Sequence, residues 1–188
     1  MITLCGKLVH LVPFDSSIHL PLLLAWRNEA SFLANCTHHR NKLSFEEFEA
    51  ELHNDFRNDR YEQYLIFREG KFIGTIYSYD LKKTDGYIFV TTYVAIEARG
   101  TLACFEAFTL YLFHLFSSVP SLHKIYVEVY SYNTVSHKIL IKAGFQEEGC
   151  FREHRLFGGQ RHDLYRLAFY RNQLDSVRKQ IERVMVQK

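Results

Sequence analysis

Residues suited to hold a phosphate group lie just past the middle of the chain. The stretch from Glu97 to Ala107 reads Glu-Ala-Arg-Gly-Thr-Leu-Ala-Cys-Phe-Glu-Ala, and an apolar pattern of helical spacing follows Gly100. A loop with arginine and glycine that opens a helix presents free backbone N–H groups to an anion, and the positive end of the helix dipole adds to the attraction. The sequence therefore predicts a phosphate-binding loop at the start of this helix.

A second strand-to-helix transition follows further along the chain. The β-branched run His123–Val129 predicts a strand, and Asn133–Lys142 predicts a helix that Asn133 caps, with Gly144 near the C′ position. Ser136 lies one turn along the helix from Asn133, on the same face. The sequence therefore places polar side chains at the start of a second helix as well.

The elements that must position these segments are predicted from hydrophobic periodicity and capping residues. Before the loop we expect a strand over Lys7–Phe14, a helix from Asp15-Ser-Ser to about Asn28, a helix begun by the capping box Ser44–Glu47, a hairpin of Tyr61–Phe67 and Phe72–Tyr79, and a strand over Tyr87–Val94. After the second helix we expect a hairpin of Phe145–His154 and Arg161–Phe169, then a terminal helix with Leu174, Val177, Ile181 and Val184 on one face.

This order predicts an α/β (α+β) fold. Its sheet is mixed and mostly antiparallel, with a central strand–helix–strand crossover and an added C-terminal amphipathic helix. The terminal helix either packs on its own sheet or, because its apolar stripe has near-heptad spacing, forms a dimer contact.

The composition is that of an ordinary globular protein, with 188 residues, 47% of them apolar and 23% charged. A formal charge of +2 gives no reason to expect a nucleic-acid or membrane partner. The four cysteines form no CxxC pair and no HExxH pattern occurs, so we expect reduced thiols, a cytoplasmic location and no metal site. The apolar run Leu20–Trp26 is too short to span a bilayer.

Four segments in this order resemble the acyl-CoA-binding core of the GNAT superfamily of N-acetyltransferases. They are Phe72-Ile-Gly-Thr75, the loop Glu97–Ala107, Asn133-x-x-Ser136 with Lys142-Ala-Gly-Phe145, and Glu147-Glu-Gly with Gly159-Gln-Arg-His-Asp163. The chain is most similar to the branch that contains ribosomal-protein-alanine, sugar-amine and polyamine acetyltransferases. The element order matches the GNAT fold from Lys7 to about Tyr170.

The resemblance implies a set of cofactor contacts. Tyr93 and Val94 would end a strand whose free backbone groups pair with pantetheine. Asn133 would hydrogen-bond the pantetheine chain, with Ser136 beside it. The pyrophosphate would be wrapped by Arg99, Gly100, Thr101, Leu102, Ala103 and Cys104.

Three positions depart from the pattern of the family. Its loop reads Gln/Arg-x-x-Gly-x-Gly/Ala, whereas Leu102 and Cys104 occupy the two small positions here. A Cβ at Leu102 could crowd the phosphate or forbid a positive φ, which implies either a different loop path or weaker cofactor binding. Cys104 could be reactive or could only pack. Leu140 replaces a tyrosine that protonates the departing thiolate in many members, although several members of this branch also lack it.

Acyl transfer from a thioester to an amine needs a group that accepts a proton from the amine and one that donates a proton to the thiolate. Ser136 is the preferred donor, or is only a small residue under the pantetheine. Glu128 on its strand is the preferred acceptor, or is only a solvated residue. Asp163 and His154 are weaker candidates, and Trp26–Asn28 resembles a first-helix signature that borders the acceptor site in this branch.

The sequence thus predicts an N-acetyltransferase that transfers an acetyl group from acetyl-CoA to a primary amine by direct attack. The acceptor is left open between a protein N-terminus, an amino sugar, a polyamine and another small amine. The alternatives are a transferase of a longer acyl group and a binding or regulatory protein with a degenerate loop. We expect residues 1–170 to form the GNAT domain and 171–188 a helical extension of it, in a monomer or homodimer.

Overall fold

The computed structural model describes residues 1–175. Within them the chain forms two compact units, one of residues 1–81 and 90–114 and the other of residues 82–89 and 115 onward. The strand β5 (Tyr87–Val94) and the helix α4 (Leu102–Ser118) contribute residues to both units. The predicted boundary between a domain of 1–170 and an extension of 171–188 stays a prediction.

The first unit contains three helices and four strands, together with the end of β5 and the start of α4. In chain order its elements are β1 (Leu4–Cys5), β2 (His10–Pro13), α1 (Ser16–Arg27), α2 (Ala30–Asn35), α3 (Phe45–Asn58), β3 (Arg60–Arg68) and β4 (Lys71–Lys82). Strands β1 to β4 are antiparallel neighbours in sequence order, and the end of β5 follows β4. Its core packs the apolar sides of the helices on the sheet and includes Leu20, Leu23, Trp26, Phe32, Phe48, Leu52, Leu65 and Tyr93.

Local capping explains where two of these helices begin. The Asp15 carboxylate accepts the backbone N–H of Ser17 at 2.9 Å and starts α1. At α3, Ser44 accepts the N–H of Glu47 while Glu47 accepts the N–H of Ser44, which is the predicted capping box. Both predicted helix starts are therefore confirmed.

The second unit contains the crossover. Its elements are the start of β5, the end of α4, β6 (Lys124–Tyr130), α5 (Thr134–Lys142), β7 (Gln146–Phe157) and β8 (Gln160–Tyr170). Strands β5 and β6 pair in parallel over Tyr87–Phe89 and Lys124–Tyr126, whereas β6–β8 and β8–β7 are antiparallel. A parallel pair needs a long crossover connection, which α4 supplies. The predicted mixed, mostly antiparallel fold is confirmed.

The predicted N-terminal strand is confirmed only over β2 (His10–Pro13). The sequence predicts one strand over Lys7–Phe14, but the structure has the short strands β1 and β2 with an irregular turn between them. The backbone N–H groups of Lys7, Leu8 and Val9 all donate to the buried Glu106 carboxylate, at 2.9, 2.7 and 2.9 Å. Those amides are therefore not available for a strand ladder.

Two further differences concern helices. The short helix α2 was not predicted. The predicted terminal helix, with its apolar stripe and its proposed dimer contact, lies outside the described residues apart from 171–175, where Arg171–Gln173 forms a 3-10 turn. Among the described residues, none of the helices has the length and apolar character that crossing a bilayer requires.

Candidate functional site

The segment Ala95–Cys104 joins β5 to the first turn of α4 in the first unit, and it contains the first part of the predicted phosphate-binding loop, Glu97–Ala107. A 3-10 turn over Ile96–Ala98 precedes Gly100, which has a φ of +72°. A Cβ added at Gly100 would meet no atom within 4 Å, so the loop is open at this point. Glycine suits the position because the left-handed backbone disfavours other residues.

The loop has free backbone donors. The first amides of a helix have no partner within it, and no hydrogen bond within residues 1–175 uses the N–H of Gly100, Thr101, Leu102 or Ala103. The side chains of Thr101 and Cys104 both donate to the carbonyl of Ala98, at 2.9 and 3.0 Å, and so brace the loop from inside. The arrangement offers consecutive N–H groups to an anion.

Leu102 does not obstruct these donors. It is the first residue of α4, is 38% exposed, and is not among the described non-glycine residues with a positive φ. The backbone therefore reaches its conformation without glycine, and the side chain lies toward solvent. The two consequences considered for this departure, a different loop path and weaker cofactor binding, stay predictions.

The guanidinium of Arg99 is turned toward the end of β5. Its Nε donates to the Val94 carbonyl at 2.8 Å, and its Nη2 donates to the Ser31 hydroxyl at 2.9 Å. It also lies 5.7 Å from the centre of the Tyr93 ring. In this arrangement the Arg99 side chain binds the end of β5 and Ser31.

Tyr93 is buried at the end of β5, with 2% of its surface exposed. Its ring packs against Trp26 and Phe32, with centroid distances of 6.0 and 5.1 Å. Its hydroxyl donates to Glu29 Oε2 at 2.5 Å. Burial, and then the hydrogen bond to Glu29, raise the pKa of Tyr93 to about 12, so the phenol stays protonated at neutral pH.

Close packing against β4 fixes the path of this strand end. A Cβ at Gly74 would lie 2.3 Å from the Tyr93 carbonyl oxygen, and the Ala95 amide donates to the Ile73 carbonyl at 2.9 Å. Only glycine allows so close an approach between the two backbones. The Phe72-Ile-Gly-Thr75 segment thus holds Tyr93 and Val94 in place.

In the second unit, Asn133 caps α5 as predicted. Its Oδ1 accepts the Ser136 N–H at 3.3 Å, which leaves the amide nitrogen of Asn133 for another partner. The Ser136 hydroxyl is half-buried and has no hydrogen-bond partner among residues 1–175. Leu140, which stands where many members of the family that the sequence resembles have a tyrosine, is buried.

Glu128 is held in an ion pair. Its Oε1 accepts from Arg166 Nε and Nη2, at 3.1 and 2.7 Å, across the β6–β8 pair. The Arg166 guanidinium lies 5.0 Å from the centres of the Phe89 and Phe151 rings. A proton taken up by Glu128 would therefore compete with two charge-assisted hydrogen bonds from Arg166. The predicted base role stays a prediction.

The two weaker candidates lie in the hairpin of β7 and β8. Asp163 accepts the backbone N–H of Glu153 at 2.8 Å and pairs with Arg152 at 3.2 Å. That backbone hydrogen bond is the main reason why the pKa of Asp163 is lowered. His154 is exposed. Asp163 therefore stabilises the irregular part of the hairpin.

The Trp26–Asn28 segment has a structural role. Trp26 belongs to the core, Arg27 pairs with Glu51 at 3.2 Å, and the side chain of Asn28 exchanges two hydrogen bonds with the backbone of Leu43. The next residue, Glu29, was not singled out by the sequence analysis, and it accepts the hydrogen bond from the Tyr93 hydroxyl. Its position next to the Trp26–Asn28 signature was the available signal. No neighbouring residue predicted its hydrogen bond with Tyr93, which lies 64 residues away.

The structure therefore groups the predicted residues by unit. Tyr93, Val94 and the loop lie together in the first unit, and Glu128, Asn133 and Ser136 lie in the second. No group of three or more His, Cys, Asp or Glu within residues 1–175 is arranged to hold a metal ion.

Comparison with known proteins agrees with this geometry. A family model described as acetyltransferase (GNAT) domain matches residues 9–146. No curated protein matches the sequence.

Several solved structures share the fold at low sequence identity. Spermidine N-acetyltransferase from Vibrio cholerae, in complex with CoA and spermine, is 18% identical with a TM-score of 0.80, over 90% of this chain and 99% of that one. The ribosomal L7/L12 α-N-protein acetyltransferase RimL in complex with coenzyme A is 17% identical with a TM-score of 0.76, over 90% and 98%. An acetyltransferase from Salmonella typhimurium that modifies the N-terminal serine of L7/L12 is 17% identical with a TM-score of 0.73, over 90% and 99%.

Proposed function

The chain belongs to the acetyltransferase (GNAT) domain family, and on that premise we propose that it transfers an acetyl group from acetyl-CoA to a primary amine by direct attack. The observation that carries the proposal is the open loop before α4, whose consecutive amides are free to bind a pyrophosphate. Acetyl-CoA supplies the activated thioester. The residues of this chain bind it, orient it and move protons.

The loop residues Arg99 to Cys104 would bind acetyl-CoA. The free backbone N–H groups of Gly100 to Ala103, at the N-terminal end of α4, would hold the two phosphates without any metal ion. Leu102 fits this role because its side chain is exposed and leaves the amides accessible. Tyr93 and Val94 would pair with the pantetheine, and an amide of this strand end would polarise the thioester carbonyl.

Asn133 and Ser136 are assigned roles by their likeness to the family motif. The Asn133 amide nitrogen would donate to the pantetheine chain while its oxygen caps α5. The Ser136 hydroxyl has no other partner among the described residues and would protonate the departing thiolate.

The acceptor class is a primary amine, and its members include protein N-termini, amino sugars and polyamines. The solved neighbours act on spermidine and on a ribosomal protein N-terminus, which makes both kinds of amine reasonable first probes. All four cysteines are free, which suits a cytoplasmic location. A monomer or a homodimer would serve this chemistry equally.

A ligand titration tests the proposal. Acetyl-CoA at 100 times its Kd should add about 2.7 kcal/mol to the free energy of unfolding and raise the thermal midpoint. Release of free CoA thiol should then require an added amine. A larger shift with a long-chain acyl-CoA would instead indicate a different acyl group, and the absence of any shift with CoA compounds would refute the proposal.

Two matched glycine variants locate the cofactor. Gly100 and Gly70 have similar positive φ values, +72° and +80°, and a Cβ at either would meet no atom within 4 Å. Alanine should therefore cause similar backbone strain at both positions. We expect Gly100→Ala to weaken acetyl-CoA binding at least tenfold because its Cβ enters the phosphate position, while Gly70→Ala leaves the affinity unchanged. Equal affinities in the two variants would place the phosphates elsewhere.

A further inference from the structure

A carboxylate beside the end of β5 has one fixed oxygen and one accessible oxygen. Glu29 lies between α1 and α2, and its Oε2 accepts the 2.5 Å hydrogen bond from the Tyr93 hydroxyl. Its Oε1 has no hydrogen-bond partner among residues 1–175, and it does not belong to the fully buried unpaired side-chain atoms of that range. Solvent or a ligand can therefore reach Oε1.

A hydrogen-bond network fixes the surroundings of this carboxylate. The Ser31 hydroxyl lies 3.5 Å from the Tyr93 hydroxyl and accepts from Arg99, which also holds the Val94 carbonyl. Glu29, Ser31 and Arg99 thus contact the last two residues of β5. Because Tyr93 is itself packed between Trp26 and Phe32, the orientation of the Glu29 carboxylate is set by a buried anchor.

The Glu29 carboxylate accepts a hydrogen bond from Tyr93 but forms no ion pair with a cation among the described residues. The titratable group in contact with it is Tyr93, whose pKa is raised to about 12 by burial and then by the hydrogen bond to Glu29, so the phenol is neutral at pH 7. The nearby cation, Arg99, is bonded to Ser31 and Val94, and no ion pair joins Glu29 to a basic residue of the described part. Glu128, in contrast, has Arg166.

We propose that Glu29 Oε1 binds the protonated amine of the acceptor and takes a proton from it, while Tyr93 holds Oε2. This inference rests on the proposed function. Of the three protons on the ammonium nitrogen, one passes to Glu29, one ends on the CoA sulfur and one remains in the amide product. The freed lone pair forms the N–C bond, and the C–S bond breaks with its electron pair on sulfur. Glu29 then returns its proton to water.

A charge-removing variant tests the role of Glu29. Glu29→Gln keeps an oxygen that can accept from Tyr93 but has no negative charge. We expect kcat/KM for the amine to fall by at least about 100-fold, with the thermal shift by acetyl-CoA unchanged. Because the variant can use only amine that is already neutral, its kcat/KM should keep rising with pH toward the pKa of the amine. The control Glu49→Gln, at an exposed position of α3, should match the wild type.

Binding can be followed without turnover because Trp26 is the only tryptophan of the chain and contacts Tyr93. In the absence of acetyl-CoA, spermidine, glucosamine and a short peptide with a free N-terminal serine are titrated against Trp26 fluorescence. The probe that the wild type acetylates should change this fluorescence. Its affinity should fall at least tenfold in Glu29→Gln and stay the same in Glu49→Gln.

The outcomes separate the inference from the function on which it rests. Wild-type rates and affinities in Glu29→Gln, with a normal acetyl-CoA shift, overturn the inference alone. A large loss in Glu128→Gln together with normal activity in Glu29→Gln would assign the proton to Glu128 and also overturns it. If the wild type shows no acetyl-CoA shift, both fall. Should Glu29→Gln fail to fold, Tyr93→Phe keeps the buried ring, and about a tenfold loss of kcat/KM is then expected.

Discussion

At the scale of single residues, three glutamates differ in how their charge is compensated. Glu106 is 4% exposed and accepts three backbone N–H groups. Glu128 is paired with Arg166. One oxygen of Glu29 accepts a hydrogen bond from the Tyr93 phenol. A fully compensated carboxylate stabilises the fold, whereas a carboxylate with a free, accessible oxygen can bind a ligand, so the partners rather than the residue type separate the roles.

Glu106→Gln should lower the free energy of unfolding by about 2–3 kcal/mol. The amide keeps the shape of the side chain, but its NH2 group faces a backbone donor, and the charge that strengthens the remaining hydrogen bonds is lost. Urea unfolding measures the change. Glu49→Gln on the exposed face of α3 should alter stability by less than about 0.5 kcal/mol. Equal stability of the two variants would show that the three contacts contribute little.

At the scale of elements, the start of α4 and the end of β5 form the candidate site together. The helix supplies free amides because its first N–H groups have no carbonyl of a preceding helical turn to which they could donate. The strand supplies Tyr93 and Val94 because β4 holds it through the close approach at Gly74. The segment Ala95–Cys104 joins the two, so a change in the packing of the strand should displace the start of the helix.

Gly74→Ala tests this coupling. The added Cβ would lie 2.3 Å from the Tyr93 carbonyl oxygen, a backbone atom that cannot rotate away. We expect a loss of about 1–3 kcal/mol in unfolding free energy and a weaker thermal shift with acetyl-CoA. The matched control is Gly149→Ala in β7, where a Cβ meets nothing within 4 Å and φ is not positive. If the Gly74 variant binds acetyl-CoA normally, the strand end does not position the cofactor.

At the scale of the whole molecule, the pH dependence of stability should be set by buried groups that resist ionisation. Burial raises the pKa of Cys36, Tyr64 and Tyr93, each to about 12. These groups hold their protons more tightly in the folded state than in the unfolded chain. Their contribution is complete below their ordinary pKa values of 9 to 10 and is lost as the pH rises toward 12.

Stability should therefore fall between pH 9 and pH 11, by at most about 1.4 kcal/mol per pH unit for each group. Urea midpoints measured across this range give the slope. Cys36→Ala should reduce the slope because it removes the thiol that titrates first in the unfolded chain, whereas Cys5→Ala, at an exposed position, should not. An identical slope in both variants would contradict the role of Cys36.

The local elements could be read from the sequence because they depend on neighbouring residues. Asp15, Ser44 and Asn133 cap helices within three positions of the amides that they bind. Strand-like runs bounded by turn residues predicted β3 to β5, and a short β-branched run predicted β6. The loop with Gly100 before α4 was predicted from its composition. These signals act over a few residues, so no knowledge of the tertiary structure was needed.

The tertiary structure decided which polar groups became partners. Glu106 binds amides 97 to 99 residues away and removes them from a strand, and Glu29 meets a hydroxyl 64 residues away. Glu128, predicted from its strand face, faces Arg166 only because β6 pairs with β8. A buried polar atom bonds to whatever packing brings within about 3 Å of it, and sequence separation carries no record of that distance.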